Sequence, residues 1–346
     1  MGEPPVLDIL GVRGDENRFP TTDLRKVIRA VGQIFSVQPQ NLKIYKGEFD
    51  RNIRFDDPDR GTWLIKVSTA DVGMTSIRWQ ASLLAAAEAD RRIPFLTPNL
   101  LSGTDGRTHI TVEGDEGTYI ARVVRWIDGS LMSDMTFSGL DLPYSLGAAS
   151  AHLTRALGGL AEPVGITGHR WLIQRGPEVV DESLRGLPDD SRTHVVAGIS
   201  RRFGATVLPL LDALPWSIIH HDLHDGNVIV DAAGKSVAGV IDFNDAAFAP
   251  RVADLAIAGA YAMLRQAEPE RVFRTVVEGY RSVLELSPAE LDIVGEMALM
   301  RLCMNWAQWQ SRAQVAGDNE YALSRSRHTW PLIEHLAQVG PPVVSY

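Results

Sequence analysis

The sequence predicts an α+β chain in two lobes: an antiparallel sheet interrupted by one helix, then a mainly helical lobe. Three observations lead there. Short β-like runs broken by polar turns fill residues 42–124, and helical apolar spacing dominates after Gly129. A length of 346 residues at 45% hydrophobic content also exceeds one typical domain while supplying a sizeable core. The lobes are accordingly placed at 1–124 and 125–346, with the hinge between Val124 and Gly129.

In the first lobe the strand-like runs are Leu42–Tyr45, Ile53–Phe55, Thr62–Val67, His109–Val112 and Thr118–Val124, separated by turns such as Asp56-Asp57-Pro58-Asp59-Arg60-Gly61. Within them Ser76–Ala89 carries Ile77, Leu83, Leu84 and Ala87 at helical spacing. The second lobe reads as helices over Leu140–Leu157, Thr193–Leu214, Val252–Leu264, Val272–Leu284, Pro288–Gln314 and Glu320–Gln338. Three short strands are embedded among them: Ile218–Ile219, Val228–Val230 and Val237–Ile241.

The formal charge of -9 argues against a nucleic-acid or anionic-membrane partner, because such partners require an excess of Lys and Arg. Any anion bound here must be held by a local device. A single cysteine, Cys303, excludes an internal disulfide and a multi-thiolate zinc site, and fits a reducing cytoplasm. The opening MGEPPVLDIL does not read as a signal peptide, and no window approaches the roughly 18 uninterrupted apolar residues of a membrane span.

The chemistry concentrates in His220-His221-Asp222-Leu223-His224-Asp225-Gly226-Asn227 and the following strand, Val240-Ile241-Asp242-Phe243. An ordered Asp, Asn and Asp at Asp222, Asn227 and Asp242 is what phosphoryl transfer to a hydroxyl requires. One carboxylate orients the acceptor hydroxyl and takes its proton, while an amide oxygen and a second carboxylate hold the Mg²⁺ that bridges the phosphates. A zinc reading rests on His220 and His224, four apart, but the helical zinc motif needs Glu after its first His, where His221 stands. Gly226 and the flanking β-branched runs also oppose a helix. His220 and His224 are therefore expected to support the loop backbone, and His221 stays open.

These segments, HHDLHDGNVIV and GVIDFNDAAFAPRVADLA, resemble the catalytic and metal-binding segments of the aminoglycoside phosphotransferase and choline kinase superfamily, relatives of the protein kinases. The resemblance implies a protein-kinase-like two-lobed fold with Asp222 as catalytic base, Asn227 and Asp242 as Mg²⁺ ligands, and Asp254 as a structural residue tying the next helix to the loop. Thr62-Trp63-Leu64-Ile65-Lys66-Val67 resembles the strand whose Lys grips the nucleotide phosphates, and Tyr119–Gly129 the strand and hinge. From Asp50-Arg51-Asn52 to Asn319-Glu320-Tyr321 the chain is most similar to the hydroxylysine kinase branch, which phosphorylates the side-chain hydroxyl of an amino acid.

Read from the residues, Lys66 between Ile65 and Val67 points to the opposite sheet face from its apolar neighbours, either to solvent or to a cleft where it meets a triphosphate. The loop Lys46-Gly47-Glu48-Phe49-Asp50-Arg51-Asn52 stands where kinases cover the phosphates. Backbone N–H groups of Asp50, Arg51 and Asn52, helped by the Arg51 side chain, would contact phosphate there, unless the loop is a plain β-turn. Val124, Arg125 and Trp126 occupy the hinge that would read a purine edge, and Ile65 and Ile241 would sandwich the ring; ATP and GTP both remain open as donors. Two positions depart from the family pattern. The helix carries Arg78 where an acidic partner for Lys66 is usual, leaving Gln80 or Glu88 to orient it or no ion pair at all, and Asn244 replaces a Gly.

For the acceptor, Arg301, Asn305 and Trp309 form one stripe on a helix, which either lies on the surface or faces the cleft. Facing the cleft, Arg301 would pair with a substrate carboxylate and Trp309 would close the pocket, with Asp245 or Glu296 receiving a substrate amine. The reading is a small-molecule kinase, using Mg²⁺ with ATP or GTP, acting on hydroxylysine or a related amino alcohol. An antibiotic-inactivating phosphotransferase, for an aminoglycoside or nucleoside antibiotic, is the alternative. A nucleotide-binding pseudokinase, motivated by the missing helix acid, is the third.

Overall fold

A computed structural model describes residues 8–9, 19–46, 50–137, 139–163, 169–315 and 319–344. The chain divides into two compact units, one of residues 1–88 with 97–128 and the other of residues 89–96 with 129–346. The division falls after Asp128. The strand there runs on to Arg125, and residues 89–96 join the helical unit because Leu96 exchanges backbone hydrogen bonds with Ala238 and Val240.

The first unit is a six-stranded sheet with two helices: β1 (Asp8–Ile9), α1 (Thr21–Phe35), β2 (Gln40–Lys46), β3 (Arg51–Asp57), β4 (Gly61–Thr69), α2 (Met74–Ala89), β5 (Ile110–Glu113) and β6 (Thr118–Arg125). Its order is β1-β2-β3-β4-β6-β5, antiparallel except where β1 runs beside β2. The β3–β4 hairpin closes on Asp57, whose carboxylate accepts the N–H groups of Gln38, Asp59 and Arg60, and on Gly61, whose φ of 80° suits a residue without Cβ. Alternation then sorts the side chains. Ile53, Phe55, Ile65, Val67, Ala121 and Val123 form one core with Leu24, Val27, Val31 and Phe35 of α1. Lys66, Asn52 and Arg122, cross-strand partners of one another, lie on the other face. Helix α1 was absent from the sequence expectation, although Leu24, Val27, Ile28, Val31 and Phe35 carry its period.

The second unit runs β7 (Ser130–Leu131), α3 (Asp141–Leu157), α4 (Gly176–Leu184), α5 (Ser191–Thr206), β8 (Trp216–Ile219), β9 (Val228–Val230), β10 (Val237–Val240), β11 (Ala247–Pro250), α6 (Val252–Ala262), α7 (Pro269–Arg281), α8 (Pro288–Val315), α9 (Asn319–Ser326) and α10 (Thr329–Val339). Two expected helices are shorter. The stretch from Thr193 stops as α-helix at Thr206 and continues as a 3₁₀ segment over Leu208–Ala213, because Pro209 cannot continue the hydrogen-bond ladder. The last expected helix is two, with Pro331 in the first turn of α10, where a missing N–H costs nothing. Helices α3 and α7 touch backbone to backbone: a Cβ on Gly147 or Gly279 would collide with the carbonyl of Val276 or Tyr144. Among the described residues no helix is long and apolar enough to cross a membrane.

Candidate active site

In the helical unit β8 pairs with β11 and β9 with β10, so the loop 220–227 and the turn after Val240 are both anchored by strands. Asp254, in the first turn of α6, accepts the N–H groups of His220 at 2.9 Å and His221 at 2.6 Å. Burial pushes its carboxyl up to about 7, while the two N–H donors pull the other way. His221 takes φ 64° at this bend. His220 Nε2 donates to the carbonyl of Ile241 at 3.2 Å, and its Nδ1 accepts the Asp222 N–H. His224 Nδ1 accepts the Gly226 N–H at 2.8 Å. Both histidines therefore support the loop, and among the described residues no group of three or more His, Cys, Asp or Glu side chains is arranged to hold a metal.

The Asp222 carboxylate is gripped from two directions. Arg301 of α8 donates to Oδ1 at 2.9 Å, and the Asn227 Nδ2 donates to Oδ2 at 2.8 Å and to the Asp222 carbonyl at 2.9 Å. Burial nevertheless raises this carboxyl above its ordinary range; Arg301 offsets part of the rise and Asp242 adds to it. With its nitrogen committed, Asn227 has its Oδ1 left as an acceptor. The Ile241 N–H donates to the Asn227 carbonyl at 3.0 Å, which ties Asn227 to the strand end carrying Asp242. Asp242 sits at φ 64°. An amide oxygen and one carboxylate are hard donors, few in number, and fit Mg²⁺, which keeps most of its coordination for water and phosphate.

The stripe on α8 faces inward, and this changes two roles. Arg301 is 1% exposed, donates also to the Trp171 carbonyl at 3.1 Å, and lies 4.8 Å over the Trp171 ring. A guanidinium buried this deeply is held by the Asp222 carboxylate and the Trp171 carbonyl, with only its Nε unpartnered among the described residues. Asn305 bonds Tyr261 and Thr329. Trp309 is buried against Trp171 at 6.5 Å, so it is wall rather than lid. Glu296 is paired with Arg202 at 2.9 Å and is therefore not an unpaired acid waiting for a substrate amine. Asp245 is the acid that remains. Burial pushes its carboxyl up to about 6; Asp222 and Asp242 push the same way, and His169 and Arg301 oppose them. His169 donates from Nε2 to the Asp245 carbonyl at 3.0 Å and lies edge-on to His221, neither of whose ring nitrogens has a hydrogen-bond partner among the described residues.

In the sheet unit the missing helix acid has a replacement. Asp50 lies 3.5 Å from Lys66 and 3.1 Å from Arg122, and accepts the Ser68 hydroxyl at 2.6 Å. Burial raises its carboxyl, but Lys66, Arg122 and Ser68 outweigh that and hold it below the ordinary range. Glu88 accepts from Asn99 instead. The Asp50 carboxylate thus faces the lysine, and Arg51 lies buried with its guanidinium 5.4 Å over the Phe19 ring, on the core face away from Lys66. Gly47-Glu48-Phe49, the centre of the expected phosphate-covering loop, lies outside the described residues. Ile65 belongs to the α1 core, and alternation gives Leu64, not Ile65, the face of Lys66. Val124 is buried in β6, bridged to Leu100. The Trp126 N–H is spent on the Thr62 carbonyl at 3.2 Å and its ring stacks on Tyr45, so it presents no free donor to a purine.

The model for the phosphotransferase enzyme family matches residues 42–291. Hydroxylysine kinase of Mus musculus is 23% identical over 325 residues, covering 89% of this chain and 85% of that protein. The structure of a microcompartment-associated aminopropanol kinase aligns with TM-score 0.66 and 19% identity over 90% of this chain and 97% of its own. Amicoumacin kinase, solved with AMP-PNP and Ca²⁺, aligns with TM-score 0.66 and 15% identity over 93% and 95%. These neighbours share the protein-kinase-like α+β fold of sheet lobe and helical lobe.

Proposed function

The chain belongs to the phosphotransferase enzyme family and is a kinase acting on a small molecule's hydroxyl; from that premise we propose that its acceptor carries an amine, hydroxylysine or a related amino alcohol. The donor is ATP or GTP with Mg²⁺; amicoumacin kinase was solved with AMP-PNP and an aminoglycoside 2'-phosphotransferase with GDP. Asp222 orients the acceptor hydroxyl and accepts its proton. The hydroxyl oxygen bonds to the γ-phosphorus as the bond to the bridging oxygen breaks, and the nucleoside diphosphate leaves. Asn227 and Asp242 would hold Mg²⁺, which when bound would neutralise the charge on the phosphates. Lys66, oriented by Asp50, positions the phosphates, with Asn52 on the same sheet face. Asp245 receives the acceptor amine. Positioning and electrostatics supply most of the rate.

The observation that carries this is the Asp222 carboxylate held by the side chain of Asn227, itself tied to the strand end of Asp242. The pseudokinase reading loses its motive, since Asp50 stands where a helix acid was missing. We place the chain in a reducing cytoplasm, in keeping with its single, buried Cys303. The test is to incubate the protein with Mg²⁺, ATP and GTP in turn, and a panel of hydroxylated amino acids, amino alcohols, aminoglycosides and nucleoside antibiotics. A product heavier by one phosphoryl group is expected with hydroxylysine or an amino alcohol. Turnover of an antibiotic alone would overturn the acceptor assignment.

A further inference from the structure

We propose that Arg325 receives a carboxylate of the acceptor, which makes the preferred acceptor a hydroxylated amino acid rather than an amino alcohol. This rests on the kinase reading above and deepens it. Three guanidinium groups surround the catalytic loop, and two are committed. Arg301 holds Asp222 and the Trp171 carbonyl. Arg265 donates to the Ser133 carbonyl at 2.8 Å and lies 3.5 Å from the Asp225 carboxylate. Arg325, from α9, is the third. It is exposed, lies 5.7 Å over the Trp309 ring and 3.3 Å from His224 Nε2, and has no carboxylate partner among the described residues.

The contact with His224 engages one of the five N–H donors of the guanidinium, at 3.3 Å from Nε2, and leaves the others for a ligand. A guanidinium stacked on an indole face keeps its N–H edges available, the geometry that a carboxylate takes up bidentately. Position agrees with chemistry. The same His224 nitrogen separates Arg325 from the base oxygen, a span that a short aliphatic chain crosses with its hydroxyl at Asp222 and its carboxylate at Arg325. Asp245 then takes the amine, so the site reads both charges of an amino acid.

Initial rates with hydroxylysine and with the same compound lacking its carboxylate test this in wild type, Arg325→Gln and Arg325→Lys. Arg325→Gln should raise KM for hydroxylysine about 10- to 100-fold with little change in kcat, and leave KM for the decarboxylated compound unaltered. Arg325→Lys should restore part of the loss, and Arg327→Gln, two residues along, should change neither. Equal shifts for both compounds would mean that Arg325 only braces the loop, and no shift would equally overturn the proposal. If wild type phosphorylates neither compound, calorimetric titration of hydroxylysine decides. Binding lost only in Arg325→Gln supports the carboxylate site although the kinase reading has failed. Equal binding by both proteins, or none by wild type, rejects it.

Discussion

Asp50, buried in the sheet unit, and Asp222, partly buried in the helical unit, are both carboxylates served by an arginine, yet the balance of forces on them is opposite. Asp50 has Lys66, Arg122 and Ser68 on it, and its carboxyl is held below the ordinary range. Asp222 has Arg301 and Asn227, and burial with a nearby Asp242 still pushes it above. An over-compensated carboxylate is a fixed counter-charge that orients a lysine. An under-compensated one keeps proton affinity, which a base requires.

Variants can break that contrast, and the largest effect is expected at Arg301. Arg301→Met leaves the partly buried Asp222 without its cation and should lower stability by about 3 kcal/mol in chemical denaturation, with loss of most turnover. Arg301→Lys should recover only part, because it cannot span Asp222 and the Trp171 carbonyl while covering the Trp171 ring. Asp50→Asn comes next, raising the nucleotide KM about tenfold with a smaller effect on acceptor KM. Its stability cost has a defined pH course. The Asp50 carboxyl is depressed in the folded chain, so its contribution is present above the unfolded value of about 4 and disappears as pH falls through the folded value. The gap between wild type and Asp50→Asn should therefore close in acid.

Asp245 sharpens the same comparison at the acceptor. Its carboxyl, raised to about 6, is neutral below that pH and cannot hold an ammonium, so acceptor KM should rise as pH falls through 6. Asp245→Asn should give the high KM at every pH. The smallest effect belongs to Glu296→Gln. Its partner Arg202 is solvent-accessible, so stability should change by no more than about 1 kcal/mol and acceptor KM should stay as it was.

Much of this architecture was legible because it is periodic. The strands from Leu42 to Val124 and the helices α3, α6, α7 and α8 follow from spacing, with ends displaced by a few residues where Pro209 and Pro331 intervene. The Asp222, Asn227 and Asp242 segment was legible because its parts are local in sequence. Partnerships across the chain were not. Arg301 lies 79 residues from Asp222, and no spacing rule links a helix stripe to that loop. Asp50 reads from the sequence as loop backbone, because nothing in a turn residue announces that its side chain will meet Lys66 on the neighbouring strand. Alternation, applied from Lys66 outward, would have set Arg51 and Ile65 on the core face and Asn52 on the lysine's.

The central claim is that Asp222 is the proton acceptor in phosphoryl transfer to a hydroxyl. It is tested most directly by following phosphohydroxylysine formation from Mg²⁺-ATP and hydroxylysine in wild type and Asp222→Asn, with nucleotide affinity measured in parallel. The account predicts product from wild type, a loss of about a thousandfold or more in the variant, and nearly unchanged nucleotide affinity. Product formation by Asp222→Asn at the wild-type rate would contradict it.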